Sequence, residues 1–297
     1  MSETNKITSG TKEWADSNVN CFNGCSNNCK YCYGRKMAIR FKRKTNENWN
    51  QMDPNLKAIT KEYRKRKGRI MFPTSHDITP NSLEYCMIVL LKLLKSGNEV
   101  LITTKPNLWC VLTILNRCEQ YKDQIQFRFT ITSKDNRKLH YWEPGAPGFE
   151  ERLEALQLAY RKGFKTSISI EPCLDKDPIP LIKILSPYVT ETIWIGKMNY
   201  IQVNDLSPED QYFYNHIRKV SSWSNIGRIL RDINILPETI RSKIRIKDSI
   251  RNMKSKYEQN RTIQVEQQWS KHRSLGEGRT TLPGGRIQKI KGGVKKD

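Results

Sequence analysis

The sequence predicts an α/β fold built from parallel βα units. Short β-branched runs recur at roughly 25- to 40-residue intervals. Amphipathic helical patterns fill the gaps between them. A chain of 297 residues, 37% hydrophobic, is long enough for one large domain or two ordinary ones with a sizeable core. Parallel βα repeats close into a barrel or open into a doubly wound sheet, and either way functional loops gather at the carboxyl ends of the strands.

The elements follow in order. A short first strand is expected at about residues 16–20, ahead of the loop NCFNGCSNNCKYCYGRK (20–36) and a helix carrying RKMAIRFKRK. Strands are read at RIMF (69–72), EVLITT (99–104), IQFRFTIT (125–132), KTSISI (165–170) and ETIWIG (191–196). Helices are read at NSLEYCMIVLLKLLKSG, NLWCVLTILNRCEQY, GFEERLEALQLAYRKG and IPLIKILSPY. Gly97 and Gly163 stand where a helix ends in the left-handed conformation that glycine adopts without a Cβ penalty. Past residue 220 the alternation stops. The organisation read is a lead-in (1–15), a core (16–220), a basic helical extension (221–272) and a flexible Gly-rich basic tail (273–297).

Net charge is +22, from 52 Lys and Arg against 30 Asp and Glu. From Ile240 to Asp297 there are 16 basic against 5 acidic residues, a net of +11. Such an excess favours a polyanionic partner, DNA or RNA, although a basic tail can also be simply solvated. The longest apolar run, MIVLLKLL, is far below membrane-spanning length, and the first residues lack the apolar stretch of a secretory signal. A cytoplasmic protein with no membrane partner is expected, where thiols stay reduced and a cysteine cluster binds metal more readily than it forms disulfides.

Four of the eight cysteines fall between Cys21 and Cys32. Zinc sites pair a CxxC with a second cysteine or histidine pair, and here only Cys29 and Cys32 form one, with His76, His140, His216 and His272 scattered. A thiol-redox CxxC would leave Cys21 and Cys25 without a role. Cys25, Cys29 and Cys32 stand as CxxxCxxC with Tyr31 before the last cysteine, and an iron–sulfur cluster is the remaining candidate.

That pattern resembles the radical S-adenosylmethionine (SAM) enzymes. EWADSNVNCFNGCSNNCKYCYGRKMAIRF is similar to the opening of the phage-associated Gp37/Gp68-like group, and EPGAPGFEERLEALQLAYRKGFKTSISIEP resembles the spore photoproduct lyase-like branch. FPTSHDITP and TTKP resemble turns of both groups, so the likeness covers roughly residues 13–200. The resemblance implies a partial six-stranded (β/α) barrel with a basic, mostly helical C-terminal extension. It implies a 4Fe–4S cluster on Cys25, Cys29 and Cys32, and SAM chelated at the open iron. It also implies a reductant such as flavodoxin or ferredoxin, and reductive cleavage of SAM to a 5′-deoxyadenosyl radical that abstracts a substrate hydrogen. Cys21 is then a core or loop thiol.

Carried over position by position, the resemblance implies cofactor-facing roles for Ser75 and Asp77, in place of the turn that receives the SAM amino group. Thr104, Lys105, Thr132 and Ser133 would end the third and fourth strands, and Glu171, Gly196 and Lys197 would lie near the adenosine. Glu143 and Arg152 can instead be a structural pair. Cys173, after Glu171-Pro172, is a candidate hydrogen donor or a buried structural thiol, the latter favoured. Cys86, Cys110 and Cys118 fall on apolar helix faces.

For the substrate, Lys36, Arg40 and Lys44 recur every four positions on the helix after the cysteines, a cationic face beside the site. Arg64, Lys65 and Arg66 form a second basic run. Both fit a phosphate backbone, from which a target base would be unstacked for repair or modification. Two alternatives stay open: a radical SAM enzyme on a peptide, protein or small molecule, and a non-catalytic nucleic-acid-binding protein with a structural metal.

Overall fold

The computed structural model describes residues 10–255, with 257 and 259, apart from 203 and 205. The tail read at 273–297 and the extension beyond 259 lie outside the described residues. One compact unit reaches as far as Met253.

Strand β1 (Ser17–Asn18) leads into the cysteine loop, where β2 (Phe22–Asn23) pairs antiparallel with β3 (Asp53–Pro54). Helix α1 (Tyr33–Arg40) follows the last cysteine, and α2 (Leu56–Thr60) follows β3. Then come β4 (Ile70–Phe72), α3 (Leu83–Lys95), β5 (Val100–Thr104), α4 (Leu108–Arg117) and β6 (Ile125–Thr130). Helices α5 (Asn136–Trp142) and α6 (Phe149–Arg161) precede β7 (Lys165–Ile170), α7 (Ile179–Leu185) and β8 (Ile193–Ile195). Next come α8 (Pro208–Val220), α9 (Trp223–Asn234), α10 (Glu238–Arg241) and β9 (Ile244–Ile246), after which residues 248–255 are helical.

The main sheet runs β1-β4-β5-β6-β7-β8-β9, every neighbouring pair parallel. It is the expected half-barrel with one strand more than six. The extra strand, β9, comes from the stretch read as helical: IRI between two basic residues is too short to show a period, and pairing with β8 decides it. Gly97 and Gly163 have φ of +75° and +76°, as their capping positions require.

The two faces of the sheet differ in chemistry. On the outer face Phe127, Phe129, Ile168 and Ile170 are fully buried with apolar side chains of α4 and α6 in one core. Alternation places Gln126, Arg128, Thr130, Ser167 and Ser169 on the inner, concave face, in register across β6 and β7. Arg128 is held by Ser167 Oγ at 3.2 Å, and its guanidinium lies 4.6 Å from the Trp14 ring and 5.4 Å from the Trp194 ring.

Trp14 belongs to the lead-in, which runs along the concave side from β1 to the opposite edge of the sheet. The Gly10 amide donates to Asp248 Oδ2 (2.8 Å), and Lys247 Nζ donates to the Gly10 carbonyl (2.6 Å). Glu13, with a side chain only 3% exposed, pairs with Arg251 at 2.7 Å and with Lys247 at 3.3 Å. The lead-in thereby ties the first strand to the segment after the last.

Removing one partner of a buried ion pair costs about 3–5 kcal/mol. Lys247 keeps Asp248 at 3.7 Å as a second acid, so Glu13→Ala is expected to destabilise the fold by a smaller amount, about 2 kcal/mol, read from the midpoint of urea unfolding. No change in the midpoint would show that the lead-in does not brace the sheet.

Candidate functional site

Because the strands are parallel, the loops after them collect at one end. There a cavity of about 730 Å³ opens between the cysteine loop and the strand termini. Cys25, Cys29 and Cys32 all line it. Cys32 caps α1, its Sγ accepting the Arg35 amide at 3.4 Å, and the Cys25 amide donates to the Trp49 carbonyl at 2.9 Å.

Two buried carboxylates fix this loop. Asp77 accepts from Asn27 Nδ2 (2.8 Å), the Ile78 amide (2.8 Å), the Lys105 amide (3.0 Å) and the Thr104 hydroxyl. Glu143 accepts from the Tyr31 hydroxyl and from Thr132 Oγ1 at 2.9 Å. Its other oxygen meets Arg152 Nη1 at 2.6 Å, both side chains fully buried, with an angle short of a hydrogen bond. Arg152 also donates to the carbonyls of Pro147 (2.8 Å) and Thr130 (3.2 Å), so the pair is structural. Lys30 N donates to the Trp142 carbonyl and Gly145 N to the Asn27 carbonyl. A Cβ on Gly145 would stand 2.2 Å from the Ser26 carbonyl oxygen, so only glycine admits this approach.

Burial sets the charge states here. It pushes the Cys25 thiol up to about 12, and raises Cys29 and Cys32 as well. Binding iron must therefore expel protons from these thiols. Burial alone would lower the Lys105 ammonium, but Cys29, Glu143 and Asp77 together raise it. Its Nζ lies 5.6 Å from the Tyr31 ring centre. Burial lifts the Glu143 carboxyl too, yet Arg152, Lys105 and Tyr31 outweigh it and hold Glu143 low. On the opposite wall burial carries Glu171 up to about 7, against the pull of Lys247 and with the push of Asp248 and Glu13.

The donor set fits the cluster: three sulfur ligands share one cavity with a cation, Lys105, beside them to offset thiolate charge. Among the described residues no three His, Cys, Asp or Glu side chains converge on a single-ion site. Cluster ligands stand on separate irons and need no common point.

Of the expected cofactor-facing residues, Ser75, Asp77, Thr104, Lys105, Glu171 and Lys197 line the cavity. Gly196 lies behind Glu171: a Cβ there would sit 2.8 Å from Glu171 Cγ. Four donors fill the acceptor sites of Asp77, so its side chain is a cross-link rather than a free seat for an ammonium. Thr132 and Ser133 are corrected. Both are fully buried, the first on Glu143 and the second donating to Asp175 Oδ1 at 2.8 Å, because β6 ends at Thr130. Thr130 and Ser169 line the cavity instead. Cys173 fits the favoured reading of a buried structural thiol rather than a hydrogen donor: its Sγ donates to the Asp175 carbonyl at 3.2 Å, and burial raises it to about 12. Cys21, Cys86, Cys110 and Cys118 are core thiols, as expected.

Of the basic residues, Lys36 and Arg40 are exposed on α1. Lys44 is not on that face. The helix stops at Arg40, Lys42 turns the chain at φ +54°, and Lys44 is buried against Asp53 at 2.5 Å. Arg64, Lys65 and Arg66 precede β4, so they lie at the amino ends of the strands, away from the cavity; Arg66 donates to Ser17 Oγ and the Asn18 carbonyl. Missed in the sequence were Lys12, Tyr33, Tyr200 and Lys247 on the cavity wall. Tyr33 directly follows Cys32 and could have been found from that adjacency, whereas Lys12, Tyr200 and Lys247 reach the wall only through contacts far apart in the chain.

Arg152→Ala removes the ion-pair partner of the buried Glu143 carboxylate, leaving Lys105 as its remaining nearby cation, and is expected to cost about 3 kcal/mol in urea unfolding. Glu171 gives a pH-dependent expectation. An acid with a raised folded-state pKa binds its proton more tightly in the fold, so stability falls as pH rises from 4.5 to about 7 and stays low above. Glu171→Gln should therefore melt higher than the parent at about pH 8 and match it at about pH 4, with equal curves at both pH values contradicting the assignment.

Residues 19–175 match the family model of the Radical SAM superfamily. The uncharacterized protein MJ0683 of Methanocaldococcus jannaschii is 28% identical over 158 residues, 52% of this chain and 60% of that protein. Uncharacterized protein ORF301 of Acidianus two-tailed virus is 30% identical over 161 residues, 50% of this chain and 53% of that protein. The chain thus spans less than two thirds of either relative. Among solved structures, a spore photoproduct lyase mutant with bound AdoMet and dinucleoside spore photoproduct is 14% identical with a TM-score of 0.41, covering 68% of this chain and 65% of that one. SuiB of Streptococcus suis bound to S-adenosylmethionine is 12% identical with a TM-score of 0.47, covering 78% and 46%. The family match takes in more than half of the chain and all three cavity-lining cysteines, and the chain belongs to the radical SAM superfamily, with a 4Fe–4S cluster and S-adenosylmethionine as its cofactors.

Proposed function

We propose that this chain is a radical SAM enzyme that abstracts hydrogen from a nucleic-acid substrate in a base repair or modification. Cys25, Cys29 and Cys32 hold the cluster. The observation that carries the reading is that all three thiols line one cavity at the carboxyl ends of the strands, where α1, with Lys36 and Arg40 exposed along it, begins. When bound, the cluster and S-adenosylmethionine supply a carbon-centred radical able to take hydrogen from an unactivated C–H bond.

The chain's own residues do the rest. Lys105, buried beside Cys29, balances thiolate charge and is placed to meet a carboxylate. The Thr130 and Ser169 hydroxyls offer hydrogen bonds from the floor of the cavity. Glu171, lying over Gly196, offers a carboxyl that gains or loses its proton near neutrality. The lead-in residues Gly10, Thr11, Lys12 and Trp14 wall one side and limit water access, which a reactive radical demands. A net charge of +22 supports a polyanionic substrate.

Anaerobic reconstitution with iron and sulfide, then dithionite and S-adenosylmethionine, should yield 5′-deoxyadenosine by mass spectrometry. Cys25→Ala, Cys29→Ala and Cys32→Ala are each expected to lose the cluster absorbance and at least about a hundredfold of that product, roughly 2.7 kcal/mol or more in barrier. Product from the alanine variants at the parent rate would remove the three cysteines from the assignment.

A further inference from the structure

The rim of the cavity carries an unusual pair of side chains. Tyr33, the first residue of α1, is 61% exposed, and Tyr200 is 73% exposed; both line the same cavity as the three cysteines. Lys36 connects them. It lies one helical turn after Tyr33, on the same face, and its Nζ sits 4.3 Å from the centre of the Tyr200 ring. Arg40 continues that face one turn further. Among the described residues neither Lys36 nor Arg40 has a carboxylate ion-pair partner.

Tyr200 is also held in a left-handed backbone conformation, φ +58°, which a bulky aromatic residue rarely adopts. No core contact compensates, since the ring is mostly in solvent. Backbone strain kept at a cavity mouth points to a role there. Aromatic rings interleaved with unpaired cations are the chemistry that holds an unstacked nucleotide: the rings take the base by its π-face, and the cations take the flanking phosphate.

Resting on the nucleic-acid reading above, we propose that Tyr33 and Tyr200 form an aromatic seat at the cavity mouth for one unstacked base of DNA or RNA, with Lys36 and Arg40 on the adjoining phosphates. A base in duplex must leave its stack to reach this seat, so single strands and duplexes with an unpaired base bind more tightly than intact duplex.

The test is fluorescence anisotropy on the reconstituted holoenzyme with S-adenosylmethionine. Labelled single strands of DNA and RNA, the intact duplex and a base-free sugar–phosphate strand of equal length serve as probes. Tyr200→Ala and Tyr33→Ala should each weaken the base-bearing strand about tenfold, while Tyr200→Phe keeps parent affinity. Both alanine variants should bind the base-free strand within about twofold of the parent. Lys36→Gln should weaken both strands and lower the salt slope by about 0.7. Iron content and absorbance confirm that each variant carries its cluster. Parent affinity in both tyrosine-to-alanine variants, with Lys36→Gln still weakened, would overturn the seat and leave the nucleic-acid reading standing. No salt-sensitive binding of any probe by the parent would overturn both.

Discussion

The arrangement depends on one constraint: an irregular loop must hold three thiols toward a concave face without a hydrogen-bond ladder of its own. The chain solves this with two carboxylates brought in from other loops. Asp77 grips the loop at Asn27, before Cys29, and Glu143 grips it at Tyr31, between Cys29 and Cys32. Burying a carboxylate is costly unless its oxygens are satisfied. Four donors fill Asp77, and Arg152 neutralises Glu143. The polar interior therefore serves the cysteines first, and a substrate or cofactor finds its partners among the rest of the polar lining, Lys105, Thr130, Ser169, Glu171 and Lys197 included.

The sheet repeats this division. Its outer face is packed with Phe, Ile and Leu against the helices, while its inner face is built from Gln, Arg, Ser and Thr. Arg128 stays buried there because Trp14 and Trp194 stack on it and Ser167 accepts from it. The lead-in then braces the two sheet edges through Glu13 and Lys247. An open half-barrel gains in this way a wall that strand pairing alone would not give it.

Much of this was legible in the sequence. Six of the main-sheet strands, the cysteine loop and the helices α1, α3, α4, α6 and α7 follow from period and spacing, whereas the short α5 carries too few turns to show a period. Glu143 and Arg152 were legible as a pair, and Cys86, Cys110 and Cys118 as core. What failed had local causes. Thr132 and Ser133 were misplaced because strand ends shift by a residue or two. Lys44 was misplaced because nothing in its charge spacing reports that the helix ends at Arg40. The basic run at 64–66 points to phosphate by charge alone, and charge does not report which end of a parallel strand a residue precedes. Strand β9 depends on pairing with β8 about 50 residues earlier, and the placing of Lys247 and of the lead-in depends on contacts more than 200 residues apart, as between Gly10 and Asp248, which no window of sequence contains.

If Cys25, Cys29 and Cys32 hold a 4Fe–4S cluster, one of its irons is left to S-adenosylmethionine. Mössbauer spectra of protein reconstituted with the Mössbauer-active iron isotope, recorded before and after adding S-adenosylmethionine, test it most directly. One iron of the four should change its signal on addition while the other three keep theirs. A spectrum unaltered by S-adenosylmethionine, from protein holding a full 4Fe–4S complement, would contradict the account.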